Sequence, residues 1–146
     1  MSKVYTPVGN TSSGKTTRCK QWAENNQPAV LIEADALRTL FFGKYIYDSK
    51  LEPTIRLILE SCVGHWLAIG YNVAVDDAVF YLTRQQREEF VYESIVPEQE
   101  QVIWDFLPIP TDDEVRERRK NEDRGIDLEE WVRIKNEQAA MLELED

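Results

Sequence analysis

The sequence predicts an α/β fold, a mostly parallel central sheet of four to five strands with helices on both faces and a small helical lid. Three observations carry that expectation. Short apolar runs alternate with stretches of helical periodicity along all 146 residues. A glycine-bearing loop lies between the first apolar run and the first helical stretch. Breakers stand at the junctions, among them Pro7, Gly9, Pro28, Gly70 and Pro108.

Taken in order, Val4–Val8 reads as a short first strand that breaks into the loop at Pro7 and Gly9. Residues 14–24 are helical in pattern and stop at the Asn-Asn-Gln-Pro of 25–28. The continuous apolar run Ala29–Glu33 is the mark of a strand covered on both faces. A short helix over 35–42 follows, then a loop over 43–50 carrying Lys44, Tyr45 and Tyr47. Over 53–69, Ile55, Ile58, Leu59, Cys62 and Trp66 fall at helical spacing, and Gly70 ends that helix before a third strand at 72–75. Three later helices begin at capping boxes, Thr83 with Gln86, Thr111 with Glu114 and Asp127 with Glu130. A fourth strand spans 101–106 ahead of Pro108 and Pro110, and the last helix runs over 128–142 with Glu129 four residues before Arg133. One domain over 1–146 is expected, with the lid at about 116–127.

Composition narrows the function. With 17 basic residues against 27 acidic, the net charge is −10, so an average surface repels nucleic acid and anionic membrane. Contact with nucleic acid must then be local and short. No apolar run reaches membrane-spanning length, and the opening Met1-Ser2-Lys3 lacks a signal-peptide pattern, so a cytoplasmic protein is expected. Cys19 and Cys62 lack metal-ligand spacing and read as reduced thiols. His65, the one histidine, reads as a packed structural residue, and core packing is the expected job of most of Phe41, Phe42, Tyr45 and Tyr47.

The loop carries the chemistry. Gly9-Asn10-Thr11-Ser12-Ser13-Gly14-Lys15-Thr16 matches G-x-x-x-x-G-K-[ST] without a mismatch. Glycines let the backbone curl so that successive N–H groups point at phosphate oxygens, and the helix that follows adds its positive end. Lys15 is placed for the β- and γ-phosphates, and the Thr16 hydroxyl for Mg²⁺, with Thr17 at the edge of the nucleotide site. ATP with Mg²⁺ is the expected ligand pair.

Two further groups belong to the same end of the sheet, since ligands of such sheets sit outside the carboxyl ends of the strands. Asp35 and Arg38 follow the second strand, where a carboxylate could take a hydroxyl proton and an arginine hold an anionic acceptor; alternatively Asp35 only caps its helix. The run from Arg116 through Arg118, Arg119 and Lys120 to Arg124 could form a lid arginine on the triphosphate, or simply a solvated helix end. Asp76 and Asp77 close the third strand, where either could serve the Mg²⁺ hydration shell, brace Arg38, or be a polar strand terminus.

This order of motifs resembles the 5′-kinase domain of phage-type polynucleotide kinases: the loop, Asp35-x-x-Arg38, a third strand ending in Asp, then Lys120-Asn121-x-x-Arg124-Gly125. The resemblance implies transfer of the ATP γ-phosphate to a 5′-hydroxyl end of single-stranded DNA or RNA. It assigns Lys15 and Thr16 to phosphates and metal, Asp35 to the general base, Arg38 to the acceptor's 3′-side phosphate, Arg124 to the donor phosphates and Asp77 to support. Ala36 replaces an acidic residue common in that family, Lys120 replaces an arginine, and no phosphatase domain follows, so a stand-alone kinase is expected. Arg56, Arg84 and Arg87 are candidates for a local basic patch. Two other readings stay open, a P-loop kinase of a small-molecule hydroxyl (a sugar acid, nucleoside or antibiotic) and a nucleotide-dependent adaptor.

Overall fold

A computed structural model describes residues 2–9, 14–44, 48–77, 81–93, 102–121 and 126–142. The elements run β1 (Val4–Val8), α1 (Lys15–Asn25), β2 (Ala29–Glu33), α2 (Ala34–Phe42), α3 (Glu52–Ala68), β3 (Asn72–Asp76), α4 (Arg84–Glu93), β4 (Val102–Phe106), α5 (Asp112–Arg119) and α6 (Leu128–Met141). All strand pairs are parallel, in the order β2-β3-β1-β4. The four strands among the described residues satisfy the lower end of the expected range.

Alternation along the strands sorts side chains onto two covered faces. On one, Val4, Ile32, Val73, Val75 and Val102 pack against Ile55, Leu59 and Val63 of α3 and Phe90 of α4. On the other, Tyr5, Leu31, Ala74 and Ile103 meet Trp22, Cys19 and Ala23 of α1. The apolar run of β2 is thus explained by contact on both faces, although β2 is an edge strand. Among the described residues no helix is long and apolar enough to cross a membrane.

Pro7 sits in a central strand, where a missing N–H normally costs a ladder bond. The register resolves this. Lys3 offers its carbonyl to Val73 of β3, and Val8 offers its own to Leu107 beyond β4. Backbone groups alternate sides, so the absent N–H of Pro7 points toward β3. There β1 pairs only through Val4 and Tyr5, whereas its pairing with β4 runs through all five residues. The proline thus falls where β1 and β3 have parted, beside the phosphate loop.

Several expectations are corrected by packing. The buried seam of α3 is Ile55, Leu59, Val63 and Gly64, so Trp66 lies at its exposed margin, edge-on to Tyr71. His65 is exposed rather than packed. Thr83–Gln86 and Thr111–Glu114 form full capping boxes. The third is half a box: Asp127 accepts from the Glu130 amide, but the Glu130 carboxylate turns forward to Arg133. Arg133 also takes Glu137, while Glu129 crosses to Arg116 of α5. Both cysteines are free thiols; Cys19 donates to the Val75 carbonyl, and its burial pushes the thiol pKa up. Helices α5 and α6 pack on each other through Val115, Trp131 and Val132, a cluster separate from both sheet faces.

Candidate active site

β1 delivers the chain to the loop at the carboxyl end of the sheet, and Gly14 turns it into α1. Gly14 holds φ at 96°, a left-handed conformation that costs an L-residue roughly 1–2 kcal/mol. Asn10, Thr11, Ser12 and Ser13 lie outside the described residues. Lys15 opens α1 and donates from Nζ to the Gly9 carbonyl at 2.9 Å, tying the two ends of the loop together. Only 7% of Lys15 is exposed, and burial lowers its pKa to about 8 against the opposing pull of Asp76 and Asp77.

The Thr16 hydroxyl donates to Asp76 Oδ2 at 2.5 Å, so this hydroxyl beside the loop and the last carboxylate of β3 form one oxygen pair. Burial raises the Asp76 pKa, while the Thr16 hydrogen bond and Lys15 oppose that rise. The roles left open for Asp76 and for Asp77, which follows β3, separate here. Asp76 reaches Thr16, whereas the buried Asp77 places its charge on Arg38. Thr17 is exposed on the first turn of α1.

Asp35 is not the helix cap. α2 begins at Ala34 with Glu33 as N-cap, which puts Asp35 in the first turn with a free choice of partner. That partner is Arg38, whose Nη1 donates to Asp35 Oδ1 at 2.6 Å. The remaining fork of the guanidinium is taken by Glu52, Nε to Oε1 at 3.2 Å and Nη2 to Oε2. Arg38 is only 4% exposed; burial opposes its charge, and the Glu52 hydrogen bonds together with the charges of Asp77, Glu52 and Asp35 outweigh that burial and raise its pKa. Glu52 escaped sequence reasoning; its one local signal is the Glu-Pro start of α3, which marks a helix but names no partner.

Asp35 contributes to the field at Asp76, and Asp77 acts on both Lys15 and Arg38, so these groups share one crevice. The basic run behaves differently from an open row of cations. Arg116 pairs with Asp113 and Glu129, Arg118 with Glu114 and Lys120 with Glu117. Arg119 instead lies over the Trp131 ring at 4.0 Å and adds its charge to the field at Lys15. Arg124 lies outside the described residues. Of the three candidates for a basic patch, Arg87 is buried beneath the Tyr81 and Leu82 carbonyls, Arg56 is held by Glu60 and Glu89, and Arg84 is exposed. Phe41 and Phe42, expected in the core, are exposed. Tyr45 and Tyr47 lie outside the described residues.

No protein-family model matches the chain, and no curated protein matches it. Solved structures do. A chain of the Pnkp1/Rnl/Hen1 RNA repair complex aligns with TM-score 0.70 and 18% identity over 96% of this chain. A sugar kinase from Janibacter sp. HTCC2649 aligns with TM-score 0.66 and 19% identity over 100% of it. Shikimate kinase from Acinetobacter baumannii, in complex with shikimate, aligns with TM-score 0.60 and 15% identity over 96%. This chain spans 45% of the RNA repair chain but 80% and 75% of the two small-molecule kinases. What these likenesses establish is the architecture: the chain has the P-loop kinase fold.

Proposed function

We propose that this chain is an ATP-dependent kinase that transfers the γ-phosphoryl group to the 5′-hydroxyl end of a polynucleotide. The observation that carries the reading is the Asp35–Arg38–Glu52 assembly beside Lys15, Thr16 and Asp76. It holds a carboxylate and an arginine one helical turn apart, at the end of the sheet where the donor loop opens. A nucleotide adaptor needs no such pair.

The oxygen pair Thr16–Asp76 fits Mg²⁺, a hard cation that in nucleotide sites takes few protein ligands and completes its shell with water and phosphate. When bound, the ion would neutralise charge on the transferring phosphates. The chain's own groups account for the rest. Lys15 would leave the Gly9 carbonyl for phosphate oxygens. Asp35 would accept the 5′-hydroxyl proton as the oxygen bonds to the γ-phosphorus, and the bond from that phosphorus to the β–γ bridging oxygen would break, releasing ADP. Arg38 would hold the acceptor's first 3′-side phosphate, and a basic residue of the α5–α6 unit, Arg119 or Arg124, would cover the donor. Positioning and electrostatics supply most of the catalysis in such transfers.

A second reading has its own support, since this chain covers a larger share of the small-molecule kinases than of the RNA repair chain. Labelled γ-phosphate from ATP, offered to an oligonucleotide with a 5′-hydroxyl and to the same strand with a 5′-phosphate, separates the two. Label on the hydroxyl strand alone supports the polynucleotide reading; no label with ATP bound moves the acceptor to a small hydroxyl compound. In the active case Asp35→Asn should lower transfer roughly 100- to 10,000-fold while leaving ATP affinity near wild type. Near-normal turnover in that variant would remove Asp35 from the base role.

A further inference from the structure

We propose that the exposed ring of Phe42, flanked by Phe41, is a stacking platform for the second nucleobase of a single-stranded acceptor. The inference rests on the polynucleotide reading above and specifies how such a strand would be held beyond its reacting end. Apolar residues at the end of a short helix normally turn inward, yet Leu40, Phe41 and Phe42 are 74%, 51% and 37% exposed. Helical phase separates the three. At 100° per residue, Phe42 comes within about 20° of the azimuth of Asp35, with Arg38 between them on the same side, whereas Leu40 faces away. Phe42 then lies about 10 Å along the helix axis beyond Asp35. A strand with its 5′-oxygen at Asp35 and its first 3′-phosphate at Arg38 would next run past Phe42.

Charge points to the same occupant. The chain is −10 overall, but beyond the Asp35–Arg38–Glu52 assembly the stretch 39–51 carries Lys44 and Lys50 against the single acid Asp48. Lys44 and Lys50 are exposed. Aromatic faces interleaved with a few cations are the requirement for holding single-stranded nucleic acid without reading its sequence, because every base has a stacking face. An acceptor the size of a single sugar, engaged at Asp35 and Arg38, would not extend to Phe42.

The test compares an unmodified 5′-hydroxyl oligonucleotide with one lacking the base at its second nucleotide, for the wild-type chain, Phe42→Ala and Phe42→Trp. Phe42→Ala should raise the oligonucleotide KM roughly 5- to 150-fold with little change in kcat or in the KM for ATP. Removing the second base should cost the wild type a similar factor and cost Phe42→Ala nothing more, and Phe42→Trp should restore affinity. Independent, multiplying losses would overturn the platform, as would an unchanged KM in Phe42→Ala. If the wild type labels the strand and Phe42→Ala is silent, the platform alone fails. If the wild type labels no strand while binding ATP, the polynucleotide reading fails and takes the platform with it.

Discussion

Burial leaves the Lys15 ammonium with a pKa of about 8, and bound phosphates would raise it, because nearby anions favour the charged form. Between those two values the nucleotide-free protein has lost the proton and the complex has regained it. ATP binding should therefore take up a proton above about pH 8, and affinity should fall as pH rises through that range. Titration calorimetry at pH 8.5 in two buffers of different ionisation enthalpy reads the uptake directly. Lys15→Arg, which keeps its charge throughout, should abolish it; equal heats for the wild type would contradict the assignment. Glu52 makes a different claim, on stability. Arg38 is buried and Glu52 takes two of its donors, so Glu52→Ala removes two charge-assisted hydrogen bonds from a desolvated guanidinium that keeps Asp35. Breaking a buried pair from one side costs roughly 3–5 kcal/mol. Urea unfolding should show a loss of that order, and a loss under 1 kcal/mol would mean that water already reaches Arg38.

At the scale of elements, Gly14 decides how β1 becomes α1. A Cβ there would meet nothing within 4 Å among the described residues, so Gly14→Ala tests chiefly the backbone conformation. Its φ of 96° would be strained, and relief by rotation would swing Lys15 and the first amides of α1. Stability should drop by roughly 1–2 kcal/mol and ATP affinity should weaken; unchanged affinity would mean that the loop tolerates another path. This element was legible in the sequence because its signals are local: a strand, two glycines, a lysine and a helix in one short span. So were β2, the capping boxes at Thr83 and Thr111, and the Asp35–Arg38 spacing. What was illegible depends on partners far along the chain. Helical spacing alone cannot fix which of Cys62, Val63 and Trp66 meets the sheet, and Arg87 looks like a surface cation until the Tyr81 and Leu82 carbonyls close over it. Glu130 was drawn from its cap by Arg133, a competition between two nearby partners that a motif does not rank.

For the molecule as a whole, charge and architecture have to be reconciled with the polyanionic acceptor proposed above. The sheet and its two clusters form the base, while α5 and α6, which flank the lid expected at about 116–127, carry Arg119 on a hydrophobic cluster of their own. A net charge of −10 forbids a long grip on nucleic acid, and Arg56 and Arg87 are committed to protein partners instead of a basic track. The acceptor would then be held by one or two phosphate contacts, at Arg38 and near Lys44 or Lys50, with stacking in place of further charge. Counterion release scales with the number of phosphates neutralised, about 0.7 per contact for a single strand. A plot of log KM for the oligonucleotide against log salt concentration should rise with a slope of roughly 0.7–1.4. Salt also screens the repulsion between strand and protein, which flattens the slope further. A slope above about 3 would require an extended cationic path absent from the described residues, and would place the strand elsewhere on the molecule. Zero slope at constant Mg²⁺ and ATP would mean that no acceptor phosphate is engaged, which returns Arg38 to a bracing role within the Asp35–Glu52 assembly.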